Sequence, residues 1–362
     1  MNPPSPAPLD SGCEQAGAHD RDAWLFRRYP PGPHPLRDLM LQIRNSPGPG
    51  PGPGQPLAGE PADSRPPRTP VQGAAAVPAA PGEPLDDAEV ARRIHELPPL
   101  PQALAEALRV VRRDDLSTAT CVRAIEQDAV LAAAVLRLAN SPFYGACGRV
   151  SSVGDAVRLL GLRTVSGVVV AVSMRRTLAQ WRDDDGRFQA YWRHAVATAT
   201  AARELALTAG ADPDEAFLTG LLHDLGRLVM AVFSPGQARL ALARARADDI
   251  DLREAETQLL GRRHDDVGAA VARHWQLPDA IVSAIALHHA PGAASAPGVI
   301  PLEALIHVAD AITHALDLVG DPAEAVPLVS DHAWCSIAPS HGVMQRVFER
   351  VKSGVALLAP EP

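Results

Sequence analysis

One stretch constrains the fold of this chain more than any other: Glu215 to Ser234, EAFLTGLLHDLGRLVMAVFS. Its apolar residues Phe217, Leu218, Leu221, Leu222, Leu225, Leu228 and Val229 recur every three to four positions and nearly encircle it. That pattern predicts a central helix enclosed by other helices. In its middle stand His223 and Asp224. An imidazole and a carboxylate in such surroundings require partners, because an unpaired buried charge is costly or shifts its protonation. A metal ion, a network of polar groups from neighbouring helices, or a solvent cleft would each supply them.

The rest of the chain has the same helical character. Predicted helices run over Thr118 to Glu126, Ala129 to Leu138, Val153 to Leu160, Leu162 to Leu178, Tyr191 to Thr208, Ala238 to Ala247 and Leu252 to Leu260. Asp212-Pro213-Asp214-Glu215 is a strong start for the central helix: an acidic cap, a proline at the first helical position and a capping-box glutamate. His264-Asp265-Asp266 is expected to cap a helix that runs through Trp275. Leu277-Pro278-Asp279 starts another that ends in His288-His289, and a helix from Pro301 to Leu318 carries His307, Asp310 and His314 on one face. Val343 to Leu358 reads as a terminal helix. The one β-branched run, Val168 to Val172, lies inside a helical period, so the fold class is all-α.

At the N-terminal side the pattern fails. Of the 35 prolines, 19 precede residue 84, which predicts a disordered Pro/Gly-rich arm over 1–83. Within it Trp24, Leu25, Phe26, Tyr29, Leu36, Leu39, Met40 and Ile43 gather enough apolar surface for a short helix or docking motif. Leu97-Pro-Pro-Leu-Pro101 should separate two helices between Leu85 and Arg113, and Asn140-Ser141-Pro142 should end a helix before a turn bearing Phe143 and Tyr144. The organisation expected after the arm is an N-terminal helical half over 84–178, a second half over 179–320 and a helical tail over 321–362.

Charge and cysteine usage exclude several classes of function. A net charge of −8 without any long basic run leaves no footprint for nucleic acid. The four cysteines are scattered without a CxxC pair, as in a reduced cytoplasmic protein. No secretory leader is visible, and the most apolar span, Val165 to Met174, is too short to cross a bilayer.

Seven polar residues fall inside or at the ends of these apolar helices: His194, His223, Asp224, His264, His288, His289 and Asp310. Five imidazoles and two carboxylates on separate helices suit Fe, Mn or Zn, as one or two ions. Taken singly, a buried histidine is more often a hydrogen-bonded core residue than a ligand, and paired histidines at a helix end are common charges favoured by the helix dipole.

The string LLHDLGR at 221–227 resembles the signature of the HD superfamily of metal-dependent phosphohydrolases. LPPLP at 97–101, IEQDAVLAAAVLRLANSPFYG at 125–145, SSVGDAVRLLGLRTV at 151–165, YWRHAVATATAARELA at 191–206 and HDDVGAAVARHWQLPDAIVSAIALHH at 264–289 resemble the HDOD family of HD-related output domains in bacterial signalling. The resemblance implies a compact multi-helix HD-like bundle that acts by contact with signalling proteins rather than as an enzyme. By similarity to HD enzymes that hydrolyse cyclic dinucleotides, the seven residues match a two-metal site, where metals would polarise a phosphoryl oxygen and acidify a water. Asp224 and Arg227 would then be the catalytic candidates. Arg227 replaces the usual lysine, and no Gly-Tyr-Pro motif follows His288-His289. A guanidinium holds phosphate as a fork but does not readily give up a proton.

Overall fold

The protein is described by a computed structural model that covers residues 23, 25–30, 34–45, 87–95, 118–140, 150–179, 187–292, 299–318 and 324–358. The Leu97–Pro101 break, the turn with Phe143 and Tyr144, Trp24 and most of the Pro/Gly run lie outside these residues. The described chain is helical and contains no strand. In order, the helices are α1 (Pro35–Asn45), α2 (Asp87–His95), α3 (Thr118–Glu126), α4 (Ala129–Ala139), α5 (Val153–Leu160), α6 (Leu162–Ala179), α7 (Arg187–Ala209) and α8 (Pro213–Leu222). There follow α9 (Leu225–Phe233), α10 (Pro235–Asp248), α11 (Leu252–Leu260), α12 (His264–His274), α13 (Asp279–Leu287), α14 (Leu302–Leu316), α15 (Asp331–Ile337) and α16 (His341–Leu358).

Helix α7 is the axis of the bundle, flanked by α8, α14 and α16. Its alanines Ala195, Ala197, Ala199, Ala201, Ala202 and Ala206 are wholly buried. Methyl-sized side chains let neighbouring backbones come close, and α8 exploits this: a Cβ on Gly220 would lie 2.7 Å from the Ala199 Cα. The start of α8 follows the sequence pattern. Asp212 accepts from the amides of Asp214 (3.0 Å) and Glu215 (3.2 Å), and Arg203 Nη1 donates to Asp214 Oδ1 at 2.6 Å.

The expected single central helix is in fact two. α8 stops at Leu222, and α9 begins at Leu225. The His223 ring donates from Nδ1 to the Gly220 carbonyl at 2.8 Å, so a side chain takes an acceptor within the preceding turn, and the next turn tightens to Arg227 N–H on the Asp224 carbonyl at 2.9 Å. The break turns His223 and Asp224 toward the same interior point. The whole span Pro213–Phe233 is long and apolar enough for a bilayer, unlike Val165 to Met174, but 72% of its most apolar window is buried in the bundle.

Past the break, α9 crosses α12 with two glycines face to face. A Cβ on Gly226 would sit 1.8 Å from the His264 carbonyl oxygen, and one on Gly268 would sit 3.1 Å from the Gly226 nitrogen. This contact sets the start of α12. His264 is the first helical residue rather than part of a cap, and its amide donates to the buried Glu256 carboxylate at 2.9 Å. Asp265, expected in the cap, is buried against Arg253 at 2.9 Å.

Two helices were expected only in outline: α1, from the apolar cluster in the arm, and the short α15, within the tail over 321–362. The arm segment is seated on the bundle. Leu25, Phe26, Tyr29, Leu36 and Met40 are buried, and α1 packs on α16. The Leu25 carbonyl accepts from Val326 N–H at 2.8 Å. The Tyr29 hydroxyl donates to the Pro327 carbonyl at 2.5 Å and accepts from Val329 N–H at 3.1 Å. Arg27 and Arg28 both reach Asp249, at 2.8 and 3.1 Å.

The Gly226–Gly268 crossing yields a direct test. Gly226→Ala puts a methyl group into backbone that cannot retreat as a side chain would, and it should destabilise the protein by about 3 kcal/mol. Chemical denaturation measures this, and a loss within error of zero would contradict the crossing.

Candidate metal centre

All seven residues marked in the sequence come together. His194 comes from α7, His223 and Asp224 from the break between α8 and α9, His264 from the start of α12, His288 and His289 from the end of α13, and Asp310 from α14. Asp224 lies at the middle. Its Oδ1 is 3.2 Å from His264 Nε2, 3.7 Å from His288 Nε2 and 3.7 Å from His223 Nε2, while its Oδ2 is 3.9 Å from His194 Nε2. Asp310 Oδ1 is 3.0 Å from His194 Nε2 and 3.5 Å from His223 Nε2. Arg227 stands at the edge, one third exposed, with Nη1 donating to Asp224 Oδ2 at 2.7 Å.

The protonation of the imidazoles follows from their outer contacts. His223 Nδ1 faces the Gly220 carbonyl, and His288 Nδ1 faces the Ile285 carbonyl at 2.8 Å. A carbonyl only accepts, so each Nδ1 carries a hydrogen and each ring turns its Nε2 inward. His264 Nδ1 lies 2.7 Å from the Glu256 carboxylate with the same result. His314, one turn beyond Asp310 on α14, holds the Glu324 carboxylate with Nδ1 and turns Nε2 to Asp310 Oδ1 at 3.3 Å.

Ring nitrogens crowd one another: His194 Nε2 and His223 Nε2 are 3.3 Å apart, and His264 Nε2 and His289 Nε2 are 2.9 Å apart, so each pair has room for one hydrogen between two nitrogens. The wholly buried His288 Nε2 and Asp310 Oδ1 have no hydrogen-bond partner. Such an arrangement is stable only with positive charge between the groups. Three sets of donor atoms can hold a cation: Asp224, His264, His288 and His289; His194, His223 and Asp224; and His194, Asp310 and His314. Each set lies within 4.8 Å, and Asp224 and His194 are shared between sets. Imidazole nitrogens mixed with carboxylate oxygens suit divalent Fe, Mn or Zn.

Electrostatics agree. Burial raises the Asp224 carboxyl, but the charges of His223 and Arg227 and the adjacent rings of His264 and His288 outweigh it and hold Asp224 well below the usual carboxylate range. Asp310 is held low in the same way against burial, chiefly by His314. Burial, reinforced by neighbouring histidines, pushes His288 and His289 down, so both are neutral at pH 7. Burial also lowers His264, but Glu256 and Asp224 overcome it and raise its pKa to about 10. In the metal-free protein a proton on His264 thus takes the place a cation would fill.

Sequence reasoning missed Glu256, Glu324 and the role of His307. His307 donates from Nδ1 to the His288 carbonyl at 2.6 Å and accepts at Nε2 from Ser330 N–H at 2.9 Å, so both ring nitrogens are used and it braces His288 from behind. Its place on the same face as Asp310 and His314 was visible in the periodicity. Glu256 and Glu324 gave no such signal, since neither is adjacent in sequence to one of the seven marked residues.

The sequence matches the HDOD domain over residues 97–291. An uncharacterized protein of Treponema pallidum (strain Nichols) is 31% identical over 205 residues, which are 56% of this chain and 39% of that protein, so the chain spans about two fifths of that relative's length. Among solved structures, a candidate phosphohydrolase from Shewanella amazonensis SB2B is 27% identical with a TM-score of 0.59, the match covering 75% of this chain and 98% of that one. A candidate signal transduction protein from Marinobacter aquaeolei VT8 is also 27% identical with a TM-score of 0.59, over 73% of this chain and 59% of that one.

The His314–Glu324 contact predicts a pH dependence in chelator-treated protein. Burial raises the Glu324 carboxyl, but His314 more than offsets it and brings the pKa from 4.5 down to about 2, so its stabilisation is present above pH 4.5 and fades as pH falls toward 2. Burial lowers His314, but Glu324 and Asp310 raise it well above 6.5, so its share is complete below 6.5 and is lost as pH rises through the folded value. Wild type should exceed Glu324→Gln in stability by its widest margin between pH 4.5 and 6.5. Denaturation at a series of pH values reads this, and a constant margin would contradict the ion pair.

Proposed function

The chain belongs to the HDOD domain family, and from that premise we propose that it is a bacterial signal-transduction output module, acting by contact with a partner protein, whose helical core is organised around a divalent metal centre. The observation that carries the metal reading is the buried set of Nε2 atoms of His223, His264 and His288 gathered around Asp224, each ring held from behind through Nδ1 and that of His288 left without a hydrogen-bond partner. His194, His289 and Asp310 complete the ligands. The likeness to a candidate signal transduction protein supports the signalling role. Enclosure supports a regulatory rather than a catalytic centre: among the described residues the Asp224 side chain is 5% exposed and His288 is wholly buried, leaving the edges of His289, Arg227, His194 and His314 to solvent.

A second reading rests on Arg227. It is the one described cation at the edge of the centre in contact with Asp224, and its guanidinium is suited to hold a phosphate while Asp224 fixes its orientation. Bound divalent ions would polarise a phosphoryl oxygen and acidify a water. On this reading the protein is a phosphohydrolase acting on a nucleotide or other phosphoester, with Asp224 and Arg227 as its catalytic residues. The absence of a Gly-Tyr-Pro motif after His289 argues against a cyclic dinucleotide as that substrate.

Two measurements on purified protein separate these readings. Elemental analysis should find Fe, Mn or Zn, and His223→Ala should lose it with only a modest drop in stability. Phosphate release from a nucleotide panel with added Mn or Fe should be absent for the signalling module and present for the enzyme. Wild-type protein free of metal after growth in supplemented medium would overturn the metal reading.

A further inference from the structure

We propose that His314 is a further metal ligand, extending the centre beyond the seven residues recognised in the sequence, and that Glu324 is the positioning residue that aims it. This rests on the metal reading above. His194, Asp310 and His314 offer donor atoms within 4.8 Å of one another, the spread of ligands around a single ion. The geometry at Asp310 favours a cation over a hydrogen bond. Its Oδ1 is surrounded by His194 Nε2 at 3.0 Å, His314 Nε2 at 3.3 Å and His223 Nε2 at 3.5 Å, yet none approaches along a hydrogen-bonding direction, although the atom is buried. His314 Nδ1 is engaged by Glu324, so Nε2 is the nitrogen that faces Asp310 and that a cation would take in place of a proton.

Glu324 is held from outside the bundle. Arg27 Nη1 donates to its carbonyl at 2.7 Å, and the Val326 amide pairs with the Leu25 carbonyl at 2.8 Å. The arm segment therefore fixes the backbone that presents the Glu324 carboxylate to His314. A carboxylate behind a ligating imidazole fixes its ring and strengthens its donor nitrogen.

The test uses the full chain loaded with Mn or Co(II). In a competitive chelator titration His314→Gln should release its weakest-held ion at least about tenfold more readily than wild type, the scale on which ligand and outer-shell losses act. The visible absorption of the Co(II) form should change as an imidazole leaves its coordination. Glu324→Ala should weaken retention in the same direction, and Glu324→Gln, which keeps an acceptor for Nδ1–H, should restore most of it; should His314→Gln not fold by circular dichroism, this pair carries the test alone. Chelator curves and cobalt spectra unchanged in these variants would overturn the assignment while leaving the metal centre standing. A wild-type protein that binds no Mn or Co(II) would overturn both.

Discussion

The placement of one carboxylate governs the rest of this structure. Asp224 lies in the break between α8 and α9, with ring nitrogens from three other elements around it at 3.2 to 3.9 Å. Burying a carboxylate among imidazoles is favourable only when the net charge and the lone pairs are balanced. The surrounding helices are arranged to hold that balance. The Gly226–Gly268 contact brings α12 in until His264 reaches Asp224, and the ring of His223 helps make the break that turns both residues inward. His288 repeats the device at the end of α13, with its Nδ1 on a carbonyl three residues back.

Much of this was legible in the sequence, and the reason is local. Helix bounds at α3, α5 and α11 coincide with those predicted, because alternation of apolar residues and the flanking turn and cap residues act over a few positions. The convergence of the seven residues was legible because imidazoles and carboxylates in apolar helices are costly without partners, so their presence is informative. The break at His223–Asp224 was not legible. Nothing in the apolar periodicity distinguishes a straight helix from two with a shared stripe, and the cause is a side-chain hydrogen bond invisible to pattern. His264 was misread as a cap for a related reason: a polar residue at a helix start ordinarily caps, whereas here its amide is served by Glu256 from another helix.

Glu256 and Glu324 show where reading by pattern stops. Each acts on a histidine through a tertiary contact, Glu256 across eight residues and Glu324 across ten, with no sequence spacing that marks the pairing. The arm is similar. Its apolar cluster signalled that something would be buried, but not where. Its seat is assembled from Asp249, Glu324 and the backbone from Val326 to Val329, which meet only once the bundle has closed.

That seat has a bearing on how the chain comes off the ribosome. Tyr29 is synthesised 298 residues ahead of Pro327, its hydrogen-bond acceptor, and 300 ahead of Val329. Leu25, Phe26, Leu36 and Met40 must therefore remain unsheltered while almost the entire bundle is translated. Contacts so distant in sequence form slowly, and apolar surface exposed in the meantime invites capture by chaperones or by other nascent chains. The earliest of these hydrophobic residues to be made are thus among the last to leave water.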